Sequence, residues 1–233
     1  MITLVSWLWK QQGYPIRYTA KHVNIWANMV ERHITIPHRL LCITDDPTGI
    51  DIPTLPLWNF EEIESPKWPG RCRPQAYRCL RMFDKEVGLT IGARFCSMDL
   101  DCVITGSLDS ILNRTEDFLI LWSPQERNCY NSSLIIMDAG ARQRVWDRFT
   151  PYSAITASDL YLGSDQAFIR YVLGPNETTL WNRDGIYQFY HSPGIRQSKA
   201  IPIDCRIVFF AGNRTPWDPS IKVTQPWVLK HYR

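Results

Sequence analysis

The first third of the chain alternates between two hydrophobic patterns. The unbroken apolar run Ile2–Leu8 is typical of a buried strand, and residues 19–33 carry apolar side chains near helical spacing. A second apolar run, residues 39–44, ends in the turn-forming sequence Asp-Asp-Pro-Thr-Gly, and a short apolar stretch that predicts another strand follows at residues 52–58. Strand, helix and strand in this order predict the opening of an α/β unit.

A carboxylate pair interrupts the pattern at the centre of the chain. The apolar strand at residues 94–98 runs into Asp99, Leu100 and Asp101, and a second short strand follows. Because side chains alternate along a strand, we expect both carboxylates to project from one edge of the sheet while Leu100 points back into the core. Two hard oxygen ligands suit Mg²⁺ or Mn²⁺, which bind through one or two carboxylates and substrate phosphates. The pair therefore indicates a site for a nucleotide diphosphate, although a solvated turn between two strands has the same pattern.

The remaining pattern continues the alternation of helices and strands. After a proline-containing loop at residues 61–74, it predicts a helix at 75–86, a short helix at 108–112, a strand at 117–122, a turn and strand at 130–137, helices at 141–149 and 164–172, and a strand at 206–210. Ser164 is placed to cap the last of these helices, with Asp165 in its first turn. The order predicts an α/β fold with a mainly parallel sheet and helices on both faces.

Composition narrows the class of protein without identifying it. At 233 residues the chain fits a single domain, and a net charge of +3 is too mild to establish a nucleic-acid partner. The chain is rich in aromatic residues, with ten Trp, ten Tyr and nine Phe. Such a surplus is expected either for a bulky core or for a protein that stacks sugars and bases on aromatic rings. The sequence leaves these two uses of the aromatic side chains open.

The cysteines and the amino-terminal segment bear on location. The seven cysteines include no C-x-x-C pair, and an odd number cannot all pair within one chain. The apolar start of the chain is too short to span a membrane and lacks the features of a signal peptide. We therefore expect a reduced cytoplasmic protein with no transmembrane segment.

Taken in order, seven short segments resemble the small GT-A-fold glycosyltransferases of bacteria and phages that are related to glycogenin. These segments are the first strand with Trp7 and residues 42–47, 77–83, 98–101, 130–133, 164–166 and 209–217. The resemblance covers most of the chain. It implies a single GT-A domain over residues 1–233, with a nucleotide-binding half at 1–105 and a half for the donor sugar and the acceptor at 106–233.

The resemblance implies a hexosyltransferase-like enzyme that moves a sugar from a nucleotide-diphosphate sugar, with UDP favoured, to an acceptor hydroxyl. Asp99 and Asp101 would hold Mn²⁺ or Mg²⁺, which acts as a Lewis acid as charge builds on the leaving diphosphate. The full set of residues that it places at the donor is Trp7, Tyr14, Asp45, Arg78, Asp99, Leu100, Asp101, Gly212 and Arg214. It also places Asp165, Gln166 and Asn131 near the donor sugar and the acceptor, as the catalytic set. For Trp7, a place in the core is an equal alternative.

Two positions depart from the family pattern. The closing motif of the family usually carries a His that completes the metal site and a Lys on the phosphate, whereas this chain has Phe209 or Ala211, and Thr215, at those places. His191 and His231 are alternative third ligands. Cys79 stands at the usual place of a basic residue, so that Arg71, Arg73 or Arg78 would cover the phosphate charge instead.

These departures leave three hypotheses, in the following order. The first is an active, metal-dependent glycosyltransferase that acts on a saccharide, a lipid-linked sugar or a protein hydroxyl. The second is a phage-type enzyme that glycosylates a hydroxymethylated DNA base, for which the arginines are the motive, namely Arg71, Arg73, Arg78, Arg81 and Arg94. The third is a non-catalytic module that binds a nucleotide sugar.

Overall fold

The computed structural model describes residues 1–10, 18–59, 76–125, 128–192, 194–210 and 214–233. The strands are β1 (Ile2–Leu8), β2 (His38–Thr44), β3 (Thr54–Pro56), β4 (Arg94–Met98), β5 (Cys102–Ile104), β6 (Phe118–Gln125), β7 (Asn128–Asp138), β8 (Thr179–Leu180), β9 (Ile186–Gln188) and β10 (Ile207–Phe209). The α-helices are α1 (Ala20–His33), α2 (Lys85–Ile91), α3 (Asp109–Leu112), α4 (Arg144–Asp147), α5 (Pro151–Leu160), α6 (Asp165–Leu173), α7 (Pro219–Thr224) and α8 (Pro226–His231). Two 3₁₀ helices span Tyr77–Phe83 and Asn182–Asp184.

Seven of the described strands form one mixed sheet. Its order is β3-β2-β1-β4-β7-β6-β8, with β7 antiparallel to both of its neighbours and the other pairs parallel. Strands β4, β6 and β8 therefore run in the same direction as β1. The prediction of a mainly parallel sheet in an α/β fold is confirmed.

Hydrophobic layers cover the two faces of this sheet. Alternate residues of the strands face opposite layers, so that Leu4 belongs to one and its neighbour Val5 to the other. The first layer contains Trp26 of α1, and the second contains Phe168 of α6. Helices lie on both faces of a single α/β domain, as the pattern predicts.

A second, smaller sheet joins the first layer. It has the order β5-β10-β9, with β10 antiparallel to β5 and parallel to β9. Since β4 belongs to the large sheet and β5 to the small one, Asp99, Leu100 and Asp101 form the link between the two sheets. The sequence predicts the second short strand but not that it enters a separate sheet.

Several predicted elements differ in type or extent. The helix predicted at 75–86 is a 3₁₀ helix followed by α2, and Asp84 begins α2 by accepting a hydrogen bond from the Glu86 amide (3.1 Å); residue 75 lies outside the described part. The turn predicted at residue 130 is wrong, because this segment already lies inside β7. Helix α4 is much shorter than the predicted helix at 141–149, and α5 is not predicted at all.

Candidate active site

The site lies where the parallel strands end. Strand β1 has β2 on one side and β4 on the other, so the order of connection reverses between β1 and β4. Ligands of open α/β sheets bind at the carboxyl ends of the strands beside such a reversal. Asp45 follows β2 and Asp99 follows β4, which places both at this edge.

Asp99 directly follows β4 at the carboxyl edge of the sheet. Its backbone N–H donates to the Ser133 carbonyl (3.0 Å), and the side chain of Ser133 hydrogen-bonds its carboxylate. The residue is exposed to solvent, yet burial by the surrounding protein raises the pKa of its carboxyl group. A carboxylate that is open to solvent but ringed by protein is suited to receive a cation from solution.

Asp101 has a different environment from Asp99. It is 9% exposed, and its Oδ2 accepts a hydrogen bond from the Tyr18 hydroxyl at 3.1 Å. Its carbonyl accepts from the Phe210 N–H (2.8 Å), which ties the end of β10 to the carboxylate pair. Leu100 between the two aspartates is buried in the core, as predicted.

Asp165 comes from a distant part of the sequence and interacts electrostatically with Asp99. It begins α6 and is 6% exposed, and it interacts with the Ser164 hydroxyl (Oγ to Oδ1, 3.2 Å), the Ser132 side chain and the Gln166 backbone. Desolvation, together with the negative charge of Asp99, raises its pKa to about 6. Asp165 and Asp99 therefore share one electrostatic environment.

The predicted capping role of Ser164 is wrong. Ser164 does occupy the position before α6, but its side chain makes no capping bond to that helix. Its hydroxyl instead accepts from the Ala76 N–H (3.1 Å) and donates to Asp165. The Ser164 hydroxyl therefore links Ala76, which precedes the 3₁₀ helix, to Asp165 through two hydrogen bonds.

The charge of this site fits a divalent cation. Neither Asp99 nor Asp165 has a salt bridge to a basic side chain within the described ranges. Two carboxylates are a sufficient protein ligand set for Mg²⁺, which otherwise binds water and phosphate. In the same ranges, no three His, Cys, Asp or Glu side chains form a metal-binding group, so neither His191 nor His231 completes one with the aspartates.

Cys79 lies within the electrostatic reach of both carboxylates. Burial raises the pKa of its thiol, and the charges of Asp165 and Asp99 raise it further. Arg78 is directed elsewhere, because its guanidinium donates to the Trp58 carbonyl at 3.0 Å. A neutral thiol therefore occupies this side of the site, next to the two aspartates.

Two of the residues predicted at the donor, Trp7 and Asp45, lie on the β1 and β2 side of the sheet. Trp7 is buried, donates from Nε1 to the Ser97 hydroxyl (2.9 Å) and packs edge-on against Trp58 at 5.3 Å. Asp45 is exposed and accepts a hydrogen bond from the Lys10 N–H at 3.1 Å. Trp7 is thus a core residue at the edge of the site, and Asp45 is open to solvent beside it.

The remaining residues discussed for the donor and the metal are described only in part. Tyr14, Arg71, Arg73, Ala211 and Gly212 lie outside the described residues. Arg214 is exposed and donates to the Ser220 hydroxyl at the start of α7 (2.8 Å), whereas Phe209 and Thr215 are buried.

Asn131 and Gln166 are held by the protein itself. The Asn131 amide donates to Gln188 Oε1 (3.3 Å) and accepts from the Ser133 N–H (2.8 Å). The Gln188 amide in turn donates to the Trp122 carbonyl at 2.7 Å. Gln166 donates to the Leu162 carbonyl (3.1 Å) at the start of α6.

Sequence reasoning missed Tyr18 and Gln188. Tyr18 is 83 residues from Asp101, and Gln188 is 57 residues from Asn131. Neither residue belongs to a local motif, so only the surplus of aromatic residues gave a signal for Tyr18.

The arginines that motivate a DNA acceptor do not form one surface where they are described. Arg81 lies over the Trp146 ring (4.4 Å) and pairs with Asp84. Arg94 begins β4, at the opposite end of that strand from Asp99, and binds Asp138 at 2.7 Å. Both side chains are used within the fold.

Among the described helices, none combines the length and apolar character that crossing a bilayer requires.

Comparisons with known proteins identify the fold. No protein-family model matches the sequence, and no curated protein matches it. The structure is similar to that of the galactosyltransferase LgtC in complex with donor and acceptor sugar analogues, with a TM-score of 0.59, 11% identity, and coverage of 100% of this chain and 97% of that one. It is also similar to the glycosyltransferase GlyE of Streptococcus pneumoniae TIGR4, with a TM-score of 0.61 and 12% identity. This match covers 98% of this chain and 61% of that one. The chain therefore has the GT-A glycosyltransferase fold.

Proposed function

We propose that this protein is a glycosyltransferase that moves a sugar from a nucleotide-diphosphate sugar to an acceptor hydroxyl, with a divalent cation at Asp99 and Asp101. The observation that carries the proposal is that Asp99 and Asp165 lie close enough to interact electrostatically, with Asp101 two residues after Asp99, at the carboxyl edge of a GT-A fold. Both similar proteins are glycosyltransferases, and LgtC was solved with donor and acceptor analogues. We further propose that the donor is a UDP-hexose.

Asp99 and Asp101 would hold Mn²⁺ or Mg²⁺ between the protein and the diphosphate. Such a cation supplies Lewis acidity to the leaving group as the sugar–phosphate bond breaks. Asp99 remains open to solvent at the carboxyl edge, and the Tyr18 hydroxyl orients Asp101 by its hydrogen bond. Asp45, at the end of β2, is the candidate for the ribose hydroxyls.

Asp165 would orient the sugar or accept the proton of the acceptor hydroxyl. Its pKa of about 6 makes it a stronger base than an ordinary aspartate while leaving it mostly ionised at neutral pH. The Ser132 and Ser164 hydrogen bonds fix the direction in which it presents its free lone pairs. Gln166 follows it directly; one structure of LgtC carries an active-site glutamine replaced by glutamate.

The other two hypotheses become outcomes of the test. A non-catalytic module remains the alternative that Phe209, Thr215 and Cys79 favour, since none of them supplies the His, Lys or basic side chain of the family. The DNA acceptor has less support, because Arg81 and Arg94 are engaged within the fold. A cytoplasmic location stays a prediction; the six described cysteines are free thiols.

The test is thermal stability with nucleoside diphosphates and nucleotide sugars, each with Mn²⁺, Mg²⁺ or a chelator. A ligand of the native state at a hundredfold excess over its Kd stabilises the protein by about 2.7 kcal/mol. We expect UDP or a UDP-sugar to raise the melting temperature only when a divalent cation is present. Slow hydrolysis of the sugar donor, measured as released UDP, would then distinguish an enzyme from a binding module.

A matched pair of variants makes the test specific. Asp99→Asn removes one charge from the site, and Asp51→Asn removes one from an exposed position outside it. The first should lose the metal-dependent shift while the second keeps it. A shift that persists in Asp99→Asn, or that needs no metal, contradicts the proposed cation site.

A further inference from the structure

Two tryptophans form an aromatic pair at the same edge of the sheet as the carboxylates. The rings of Trp122 and Trp181 lie 5.0 Å apart at an angle of 59°. Trp122 is near the end of β6, and Trp181 directly follows β8. Since β4, β6 and β8 run in the same direction, the pair lies at the carboxyl edge, where Asp99 also lies.

The pair keeps its polar atoms available. Trp181 is 36% exposed and Trp122 is half-buried. Neither indole N–H has a hydrogen-bond partner within the described ranges. An exposed large aromatic with a free donor is unlike a core residue, whose indole N–H usually finds a partner on burial.

Hydrogen bonds of Gln188 and Ser192 connect the residues around the pair. Gln188 donates to the Trp122 carbonyl (2.7 Å), and its own N–H donates to the Ser192 hydroxyl (2.8 Å). Ser192 donates to Asn182, the residue after Trp181, at 2.9 Å. Gln188 therefore holds the Trp122 backbone directly, reaches the side chain of the residue after Trp181 through Ser192, and also accepts the hydrogen bond of Asn131.

The position of the pair separates it from the nucleotide side. Asp45 follows β2, Asp99 follows β4, and Trp181 follows β8, so the pair lies beyond Asp99 as seen from Asp45. Strands β4 and β8 are three places apart, or about 14 Å at the usual strand spacing. This span accommodates the donor sugar and the sugar that receives it.

We infer that Trp122 and Trp181 form a platform for a saccharide acceptor. The C–H face of a pyranose is apolar and carries partial positive charge, so it packs on the negative face of an indole ring. The two free indole N–H groups donate to the hydroxyls at the edge of the sugar. The identity of the saccharide as the acceptor rests on the proposed function, whereas saccharide binding by the pair does not.

The first arm of the test measures saccharide binding without any donor. Saturation-transfer NMR is recorded with lactose, maltose, cellobiose and chitobiose on the full chain and on Trp181→Ala, Trp181→Phe and Tyr152→Ala. Tyr152 is an exposed aromatic at the start of α5 (82%) and serves as the control. We expect at least one disaccharide to bind, Trp181→Ala to abolish binding, Trp181→Phe to weaken it and Tyr152→Ala to leave it unchanged. Absence of binding by every disaccharide, or equal binding by Trp181→Ala, overturns the platform.

The second arm separates the platform from the proposed function. With a disaccharide that binds, Trp181→Ala should raise the acceptor KM by at least about tenfold, equivalent to about 1.4 kcal/mol or more, with donor hydrolysis unchanged. Metal-dependent UDP binding without saccharide binding overturns the platform and leaves the proposed function intact. Saccharide binding that Trp181→Ala abolishes, in a protein that binds no nucleotide, supports the platform and overturns the donor site.

Discussion

The hydroxyl of Tyr18 donates a hydrogen bond to Oδ2 of Asp101 at 3.1 Å, across 83 residues of sequence. Tyr18 also packs edge-on against Trp217 (5.4 Å), so the ring has support apart from this bond. Asp101 is consequently fixed in orientation before any cation arrives. Tyr18 is in this sense a positioning residue for the carboxylate pair.

Tyr18→Phe should weaken the binding of Mn²⁺ while preserving the fold. Hydrogen-bond partners of metal ligands typically contribute 10- to 100-fold in affinity, so we expect roughly a tenfold loss. The ring contact with Trp217 remains in the variant, and its melting temperature without metal should change little. Titration of Mn²⁺ by electron paramagnetic resonance measures the affinity. Equal affinity in the two proteins would show that Tyr18 does not position Asp101.

Asp165 should make the stability of the metal-free protein depend on pH. Its pKa rises from 3.8 to about 6 on folding, so the folded state binds a proton that the unfolded chain releases. Stability is therefore gained as the pH falls from about 6 towards 4 and lost as the pH rises through that window. Asp165→Asn should be more stable than the original by up to about 3 kcal/mol at pH 7, with little difference at pH 4. Urea denaturation at both pH values checks this, and a less stable Asn variant at pH 7 would contradict it.

The transfer rate should fall at acidic pH, at a point below the value of about 6 that applies to the metal-free protein, because a cation at Asp99 would favour the ionised form of Asp165. If the carboxylate form of Asp165 acts on the sugar or the acceptor, its protonation removes the active form. Asp165→Asn should then lower turnover more than it weakens donor binding. The decisive measurement is the pH profile of kcat, and an acidic limb that Asp165→Asn leaves unchanged would assign Asp165 a structural role.

Gly163 is required by the packing of Gln166. Its φ is +106°, and an added Cβ would lie 2.5 Å from Gln166 Cγ. Gly163→Ala should destabilise the protein by about 1–3 kcal/mol, through the backbone conformation and through this contact. Gln166→Ala removes both this contact and the hydrogen bond of Gln166 to the Leu162 carbonyl, so in that background Gly163→Ala should cost less than it does in the original protein. Strict additivity of the two changes would exclude the contact as a cause.

Gln188 should contribute to stability through its buried amide. It accepts from Asn131 and donates to the Trp122 carbonyl, so Gln188→Met leaves two polar groups without a partner. A loss of about 1–3 kcal/mol follows for such buried groups. Gln225→Met is a useful comparison, because Gln225 is also buried and donates to the Arg196 carbonyl (3.0 Å) but lies at α8. Only the Gln188 variant should also weaken saccharide binding at the tryptophan pair.

The sequence predicted the elements whose hydrophobic pattern is regular. Residues Ile2–Leu8 form a strand buried on both sides, and helix α1 has one continuous apolar face, so each pattern has one interpretation. Helix α5 was missed because only Ala154 and Ala157 of its residues are buried, which leaves no apolar stripe to detect. The length of each helix and strand depends on which of its residues are buried, and that burial is set by neighbours distant in the sequence.

The candidate site was predictable only where its residues are local. Asp99 and Asp101 follow a strand and are recognised by their spacing, whereas Asp165 looks like an ordinary residue of a helix start. Its raised pKa arises from burial and from Asp99, which is far away in the sequence. Tyr18 and Gln188 act through contacts of the same long-range kind, so local pattern carries no sign of them.

The link between the two sheets also has a consequence for how the chain matures. The carboxylate pair is bounded by β4 on one side and by β5 on the other, and β5 pairs with β10, about a hundred residues later. Contacts of such large sequence separation form late, because closing the intervening loop costs entropy first. A nascent chain that has not yet exposed residues 207–210 outside the ribosome therefore lacks the bond that fixes Asp101 from β10. The hydrogen bond that holds the Asp101 backbone against β10 is therefore expected among the last contacts to form around the carboxylate pair as the chain folds.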